Sequence, residues 1–340
     1  MTVQLTTVLV IYCSLSYYTS AADVKYEEFA VLMPHVKPST TETYLCSTVK
    51  LDEERTYYIT DIKPNATSLT VHHMILFGCV KPKNYNKVWD CGQSESSGNY
   101  KLAQVCPDGL QVIHVWAKDA PEIQLPPGVG LITGNSTKYK YLVLQVHYHD
   151  VTKFVGDVTD DSGMILTYTE TPTPGLAGIY MLTSGGSIPA GGEGHLEAAC
   201  DFHQDRDVHP IAFRAHTHDL GKLVSGYKVT RNGQKYEWTL LGKKNPQLPQ
   251  MFYPVNDTNV VIKKGDVIAS RCTLYNNRST VTNVGLTYDD AMCYFYLLFW
   301  INGTNMPEND ICHSLGPPAW GWKDYPLDNI PPDASTPGKK

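Results

Sequence analysis

Short runs rich in Val, Ile, Tyr and Thr, set between clusters of Gly, Pro and Asn, constrain the fold of this chain more than any other feature. "RTYYITDI", "SLTVHHMILFG", "KYKYLVLQVHYH", "GMILTYTE", "LVSGYKVT", "DVIASRCTLY" and "MCYFYLLFWI" are examples. Runs of this length and composition read as strands, and long apolar stretches at helical spacing with capping residues are scarce. The fold class this predicts is all-β, in sandwiches or jelly rolls. With 340 residues the chain exceeds the usual single core, so two domains are expected. The break falls at "TETPTPGLAG", residues 169–178, where Pro and Gly separate two strand-rich halves. Domains are therefore expected over residues 23–174 and 175–325. The final "PLDNIPPDASTPGKK", residues 326–340, lacks an apolar pattern and reads as a loose tail.

Composition narrows the setting in which such a chain works. Hydrophobic residues make up 42% and charged residues 18%, enough apolar material for real cores. The net charge of −6 leaves no basic footprint, which excludes nucleic acid and anionic membranes as partners. At the N-terminus the apolar run Val8–Leu15 is followed by small residues at Ser20, Ala21 and Ala22, the pattern of a secretory signal over residues 1–22. No later stretch reaches the roughly 20 apolar residues of a membrane span. Of nine cysteines Cys13 lies in the signal, and the remaining eight form no CxxC pair, so disulfides are favoured over a zinc cluster. Eight cysteines allow 105 pairings. N-x-S/T sequons at Asn65, Asn135, Asn256, Asn277 and Asn302 fit a chain secreted or held in the secretory lumen.

Half of the twelve histidines fall in three tight groups, His72–His73, His147/His149 and His216/His218. The six isolated ones, His35, His114, His195, His203, His209 and His313, read as ordinary surface or core residues. In "FRAHTHDLGK" the two-residue spacing puts Arg214, His216 and His218 on one face of an extended strand. Three cationic groups crowded together repel one another unless the imidazoles stay neutral, and a bound metal ion keeps them so. Adjacent His72 and His73 diverge on a regular strand, so sharing an ion requires a local twist or different ring nitrogens. "LQVHYHD" supplies a third donor from another strand, with His147 and His149 on the same face. There is no H-E-x-x-H helix and no spare thiolate, and imidazole-rich sites suit copper, zinc, iron or nickel, while a thioether selects Cu(I). In "DDAMCYFYLLFW" Met292, Tyr294, Tyr296 and Leu298 share a face; taken alone, Met292 reads as core packing.

Taken together, "ETYLC", "VHHMILFGC", "LPPGVG", "LQVHYHD", "FRAHTHDLGK", "GKKNPQLPQMFYPV" and "DDAMCYFY" resemble the copper type II, ascorbate-dependent monooxygenases from about Thr43 to about Cys312. The resemblance implies two jelly-roll-like antiparallel β-sandwich domains facing each other across a cleft, each with one copper ion. It places His72, His73 and His147 on an electron-transfer copper, and His216, His218 and Met292 on the copper where oxygen is used. His149 stands where relatives carry a small residue and is left out of the ligand set. The resemblance further implies hydroxylation of the α-carbon of a C-terminal glycine in glycine-extended peptides, the first step of peptide amidation, with O2 as co-substrate and ascorbate as reductant. Arg214 would anchor the peptide carboxylate and Tyr296 would hydrogen-bond the substrate. The cysteine pairing it implies is Cys46–Cys91, Cys79–Cys106, Cys200–Cys312 and Cys272–Cys293; a fifth disulfide of relatives is absent.

Tyr294 stands where relatives carry Asn, which alters one substrate contact. The expected molecule is a monomer of the secretory granule lumen that works with a separate lyase, because the chain is too short to carry one. Two rival readings differ in substrate or class. One is a family member acting on a catecholamine-type amine, which the carboxylate-binding Arg214 argues against. The other is a secreted copper-binding β-sandwich protein without catalysis, disfavoured by the Arg214, His216, His218 and Met292 set.

Overall fold

The computed structural model describes residues 24–83, 88–92, 99–117, 119–233, 235–249, 251–285, 289–304, 306, 311–325 and 327–337. The leader expected over residues 1–22, with Cys13, lies outside them. Every regular element among the described residues is a strand, and none is a helix long and apolar enough to cross a membrane.

Two sheets carry the groups of interest. A five-stranded antiparallel sheet runs in the order Val88–Asp90, Thr43–Lys50, Tyr141–Tyr148, His73–Cys79 and Leu110–Ala117. Alternation along Tyr141–Tyr148 explains its placement: Leu142, Leu144, Val146 and Tyr148 turn into one core with Leu45, Met74 and Trp116. The opposite face carries Val143, packed with Trp89 and the half-cystines Cys46, Cys79, Cys91 and Cys106, and at its end presents His147.

The second sheet crosses the boundary expected near residues 169–178. Its main path is Glu27–Leu32, Gly163–Thr169, Thr56–Asn65, Val129–Gly134, Gly175–Ser184, Tyr294–Asn302, Val208–His216 and Tyr253–Pro254. Gly175–Ala177 pair in parallel with Val129–Leu131, so the Pro-rich segment is a short connection between strands of one sheet. One face of the later strands packs Phe213, Phe295, Leu297 and Phe299 into a second core. The other face turns Ile179, Ala212, Tyr296 and Leu298 toward Val112, Ile123 and Leu125 of the first half, with Phe252 among them. Behind the second core lies a four-stranded sheet of Gly192–Asp201, Val267–Asn276, Gly221–Asn232 and Lys235–Lys244.

Disulfides join Cys46 to Cys91, Cys79 to Cys106, Cys200 to Cys312 and Cys272 to Cys293. All five sequon asparagines are exposed.

Residues 327–337, the described part of the segment expected to be a loose tail, are instead packed. Leu327 and Ala334 are buried with Trp322 against Tyr227, Val229 and Val267 on the outer face of the four-stranded sheet. Trp238 Nε1 donates to the Asp328 carbonyl at 2.8 Å, and Ser225 Oγ to that of Ala334 at 3.0 Å. An irregular strap can bury side chains without any periodicity, which is why its sequence carries no pattern to read.

Candidate metal centres

The first histidine group is assembled by strand register. Tyr44, His147 and His73 are direct cross-strand neighbours on three adjacent strands. His72 lies just before the strand His73–Cys79, at a bend, and its N–H donates to the His147 carbonyl at 2.9 Å. The bend turns its ring toward the same point as its neighbour's, so the local twist, not a change of ring nitrogen, brings the pair together. His73 Nδ1 lies 3.3 Å from His72 Nδ1 and 3.4 Å from His147 Nδ1. Three nitrogens bound to one ion at about 2.0–2.1 Å in tetrahedral or trigonal geometry stand about 3.3–3.6 Å apart. The donor set therefore fits a single imidazole-loving ion, and His72, His73 and His147 form a metal-capable cluster.

Burial favours the neutral form of His73 and His147. Burial pulls His147 down to about 4, with Glu42 opposing and His72 assisting. His73 is pushed well below the usual range, first by burial, then by His147 and His72, and further by His216 and Arg214. The second histidine group is thus close enough for its charge to be felt at the first. Neutral imidazoles are the form that ligates metal.

Two further residues hold the His147 ring. Tyr44 stacks on its face at 4.0 Å with planes 5° apart, and burial pushes the Tyr44 phenol up to about 12. His147 Nε2 donates to Glu42 Oε2 at 2.7 Å, leaving Nδ1 to face the other histidines. Sequence reading missed both roles, although "ETYLC" contains them; what makes them legible is pairing across strands far apart in the chain. His149 lies past the strand end at Tyr148, is exposed, and hydrogen-bonds through Nδ1 to Glu42 Oε1. Of the two histidines that parity could not separate, His147 belongs to the three-histidine cluster, while His149 lies past the strand end.

The second group sits where the strand Val208–His216 ends. Arg214 and His216 lie on the strand, opposite Tyr296 and Tyr294, while His218 follows in the loop. The extended geometry expected over all three residues thus stops at His216. The His216 and His218 rings are 5.8 Å apart and perpendicular, at 89°. Met292 is buried, with Sδ 3.2 Å from His216 Nε2. His218 Nδ1 donates to the Asp290 carbonyl at 2.9 Å, which leaves Nε2 available. Gln247 of "NPQLPQ" pins this loop, donating from Nε2 to the carbonyls of His218 at 3.0 Å and Gly221 at 3.2 Å. That role also went unread in the sequence. Gly221 permits the tight loop, since a Cβ there would overlap Thr217.

Arg214 is 3% exposed, its guanidinium carbon 5.2 Å from the centre of the Tyr296 ring. Burial lowers its pKa and the Tyr296 phenol opposes that; burial pushes Tyr296 itself up to about 12, so it stays protonated. Tyr294 stacks on His216 at 5.8 Å and meets Tyr296 edge to face at 5.8 Å. Among the isolated histidines, His209 stacks on Trp300 and His195 bonds Ser335. His114 is buried beside Phe252, and desolvation, then Arg214, lowers it to about 3.

Comparison with known proteins places these clusters. Residues 29–155 match the model of the copper type II ascorbate-dependent monooxygenase N-terminal domain, and residues 175–324 that of the C-terminal domain. The chain belongs to this family. Among its relatives, peptidylglycine alpha-amidating monooxygenase of Rattus norvegicus is 39% identical over 274 residues, covering 80% of this chain and 26% of the relative. Form A of the Xenopus laevis enzyme is 37% identical over 310 residues, covering 90% of this chain and 31% of the relative. The chain thus spans about a third or less of these relatives. Dopamine beta-hydroxylase of Canis lupus familiaris is 27% identical over 313 residues, covering 86% of this chain and 47% of that protein. As a member of the copper type II family, the chain has a donor set that fits the metal its family name carries.

Proposed function

We propose that the protein is a copper- and ascorbate-dependent monooxygenase that hydroxylates the α-carbon of a C-terminal glycine in glycine-extended peptides. The observation that carries this reading is Arg214, buried two residues before His216 and cross-strand from Tyr296. A two-residue step along a strand is about 6.7 Å. A carboxylate held by the guanidinium therefore brings the terminal α-carbon, one bond away, toward the metal-facing edge of His216. A charge-assisted, bidentate pair also fixes the orientation of that carbon, and in a site shielded from water the pair is stronger. Because Arg214 is covered, an incoming peptide has to displace the residues packed over it. Tyr296, kept protonated, donates a hydrogen bond to the substrate.

His72, His73 and His147 would hold an electron-donating copper, and His216, His218 and Met292 a second copper. Copper supplies one-electron chemistry with O2 there, with ascorbate as the source of two electrons. In the overall reaction one oxygen atom enters the glycine C–H bond, and the other leaves as water with two electrons and two protons. The soft Met292 thioether favours the reduced ion. Each half is read as a jelly-roll-like sandwich, with the two metal sites meeting across a cleft. Disulfides, exposed sequons and the expected leader fit a protein of the secretory lumen.

The test compares a glycine-extended peptide, the same peptide with an amide in place of its carboxylate, and dopamine, with copper and ascorbate present. Hydroxylation of the free acid, with KM raised on the order of ten- to a hundredfold in Arg214→Gln, is expected from losing a hydrogen-bonded charge pair. Turnover of dopamine alone would overturn the assignment.

A further inference from the structure

We propose that Glu42 is the positioning residue of the three-histidine site, fixing His147 with its proton on Nε2 and its lone pair on Nδ1. The inference rests on the metal reading of that site and adds a carboxylate to it. Glu42 is a non-glycine residue with φ of 58°, in the left-handed region that side chains seldom occupy. It is the last residue of the turn leading into the strand Thr43–Lys50. The Thr40 and Thr43 hydroxyls, 2.9 Å apart, tie this turn together, and Thr43 is buried. An unusual backbone conformation maintained beside a functional cluster points to a role for the side chain it aims.

That side chain bridges two histidines. One oxygen accepts from His147 Nε2 at 2.7 Å and the other accepts from His149 Nδ1. Tyr44, two residues along, covers the face of the His147 ring. The ring is gripped on its face and at its outer edge, so only Nδ1 remains, 3.4 Å from His73 Nδ1. A carboxylate accepting the far N–H of a ligand imidazole fixes its tautomer and makes it a better donor to a cation. His149 acts one step out, by holding the second carboxylate oxygen in place. This gives a function to a histidine outside the ligand set.

The test uses the full chain with His216→Ala and His218→Ala, so that copper reports on the three-histidine site alone. Copper affinity is measured by chelator competition, and the Cu(II) spectrum by electron paramagnetic resonance, including the remote-nitrogen modulation of bound imidazole. Glu42→Ala is expected to weaken binding about ten- to a hundredfold and to change the remote-nitrogen signal. Glu42→Gln keeps a carbonyl acceptor for Nε2–H and should recover most of both; a melting temperature near the parent's shows that neither variant is misfolded. Parent-like affinity and spectrum in Glu42→Ala, or a Glu42→Gln no better than Glu42→Ala, would overturn the proposal. His147→Ala separates the two claims. If it leaves binding intact, the three-histidine reading itself fails, whereas loss of copper in His147→Ala with an unaffected Glu42→Ala removes Glu42 alone.

Discussion

Met292 illustrates how one side chain changes meaning with its neighbours. Periodicity puts it on the face with Tyr294 and Tyr296, where core packing is an adequate account, but its sulfur lies 3.2 Å from a histidine nitrogen. If it ligates, Met292→Ala abolishes ascorbate-dependent hydroxylation while the three-histidine site still takes up one copper per chain, as metal analysis would show. Retained activity would contradict the role proposed for it. His114 offers a test away from the ligands. Its pKa falls from 6.5 to about 3 on burial, so between those values the unfolded chain binds a proton that the folded chain refuses. Its contribution to stability is therefore intact above pH 6.5 and is lost as pH falls toward 3, at about 1.4 kcal/mol per pH unit. Urea unfolding across that window should show a shallower acid decline in His114→Phe than in wild type; parallel curves would contradict the burial argument.

At the scale of elements, the sequence carried the strands but not their partners. Alternation in "KYKYLVLQVHYH" is enough to predict a strand and the face that carries His147. Nothing local reveals that Tyr44 and His73 flank it, since both contacts depend on the register of strands that lie 103 and 74 residues earlier in the chain. That His147 and not His149 joins the three-histidine cluster likewise depends on where pairing stops. The C-terminal strap was illegible for another reason, because it is held by isolated anchors. Trp322, fully buried, donates from Nε1 to the Ala198 carbonyl at 3.1 Å and from its backbone N–H to Glu197 at 2.6 Å. Arg271 pairs with the same Glu197 and lies 4.4 Å from the centre of the Trp322 ring. Trp322→Ala should cost about 3–5 kcal/mol in chemical unfolding. A loss under about 1 kcal/mol, the range of an ordinary surface change, would mean that the strap is not part of the fold.

Across the whole molecule, one sheet runs through both halves, and the face carrying Tyr296 and Leu298 packs on residues of the other half. This continuity sets the two histidine groups near enough for His216 and Arg214 to influence His73. The Pro-rich connection leads the sequence to suggest two halves but cannot reveal a shared sheet, because parallel pairing of Gly175–Ala177 with Val129–Leu131 leaves no local signal. The proposed function requires that two ions, held by separate donor sets in one molecule, serve a single oxidation. It is tested most directly by titrating copper into the metal-free full chain while following ascorbate-dependent formation of hydroxyglycine from a glycine-extended peptide. Two copper ions per chain are expected, with activity that requires both, and one ascorbate-derived electron pair consumed per hydroxylated peptide. Full activity with a single copper, or copper uptake without peptide hydroxylation, would contradict it.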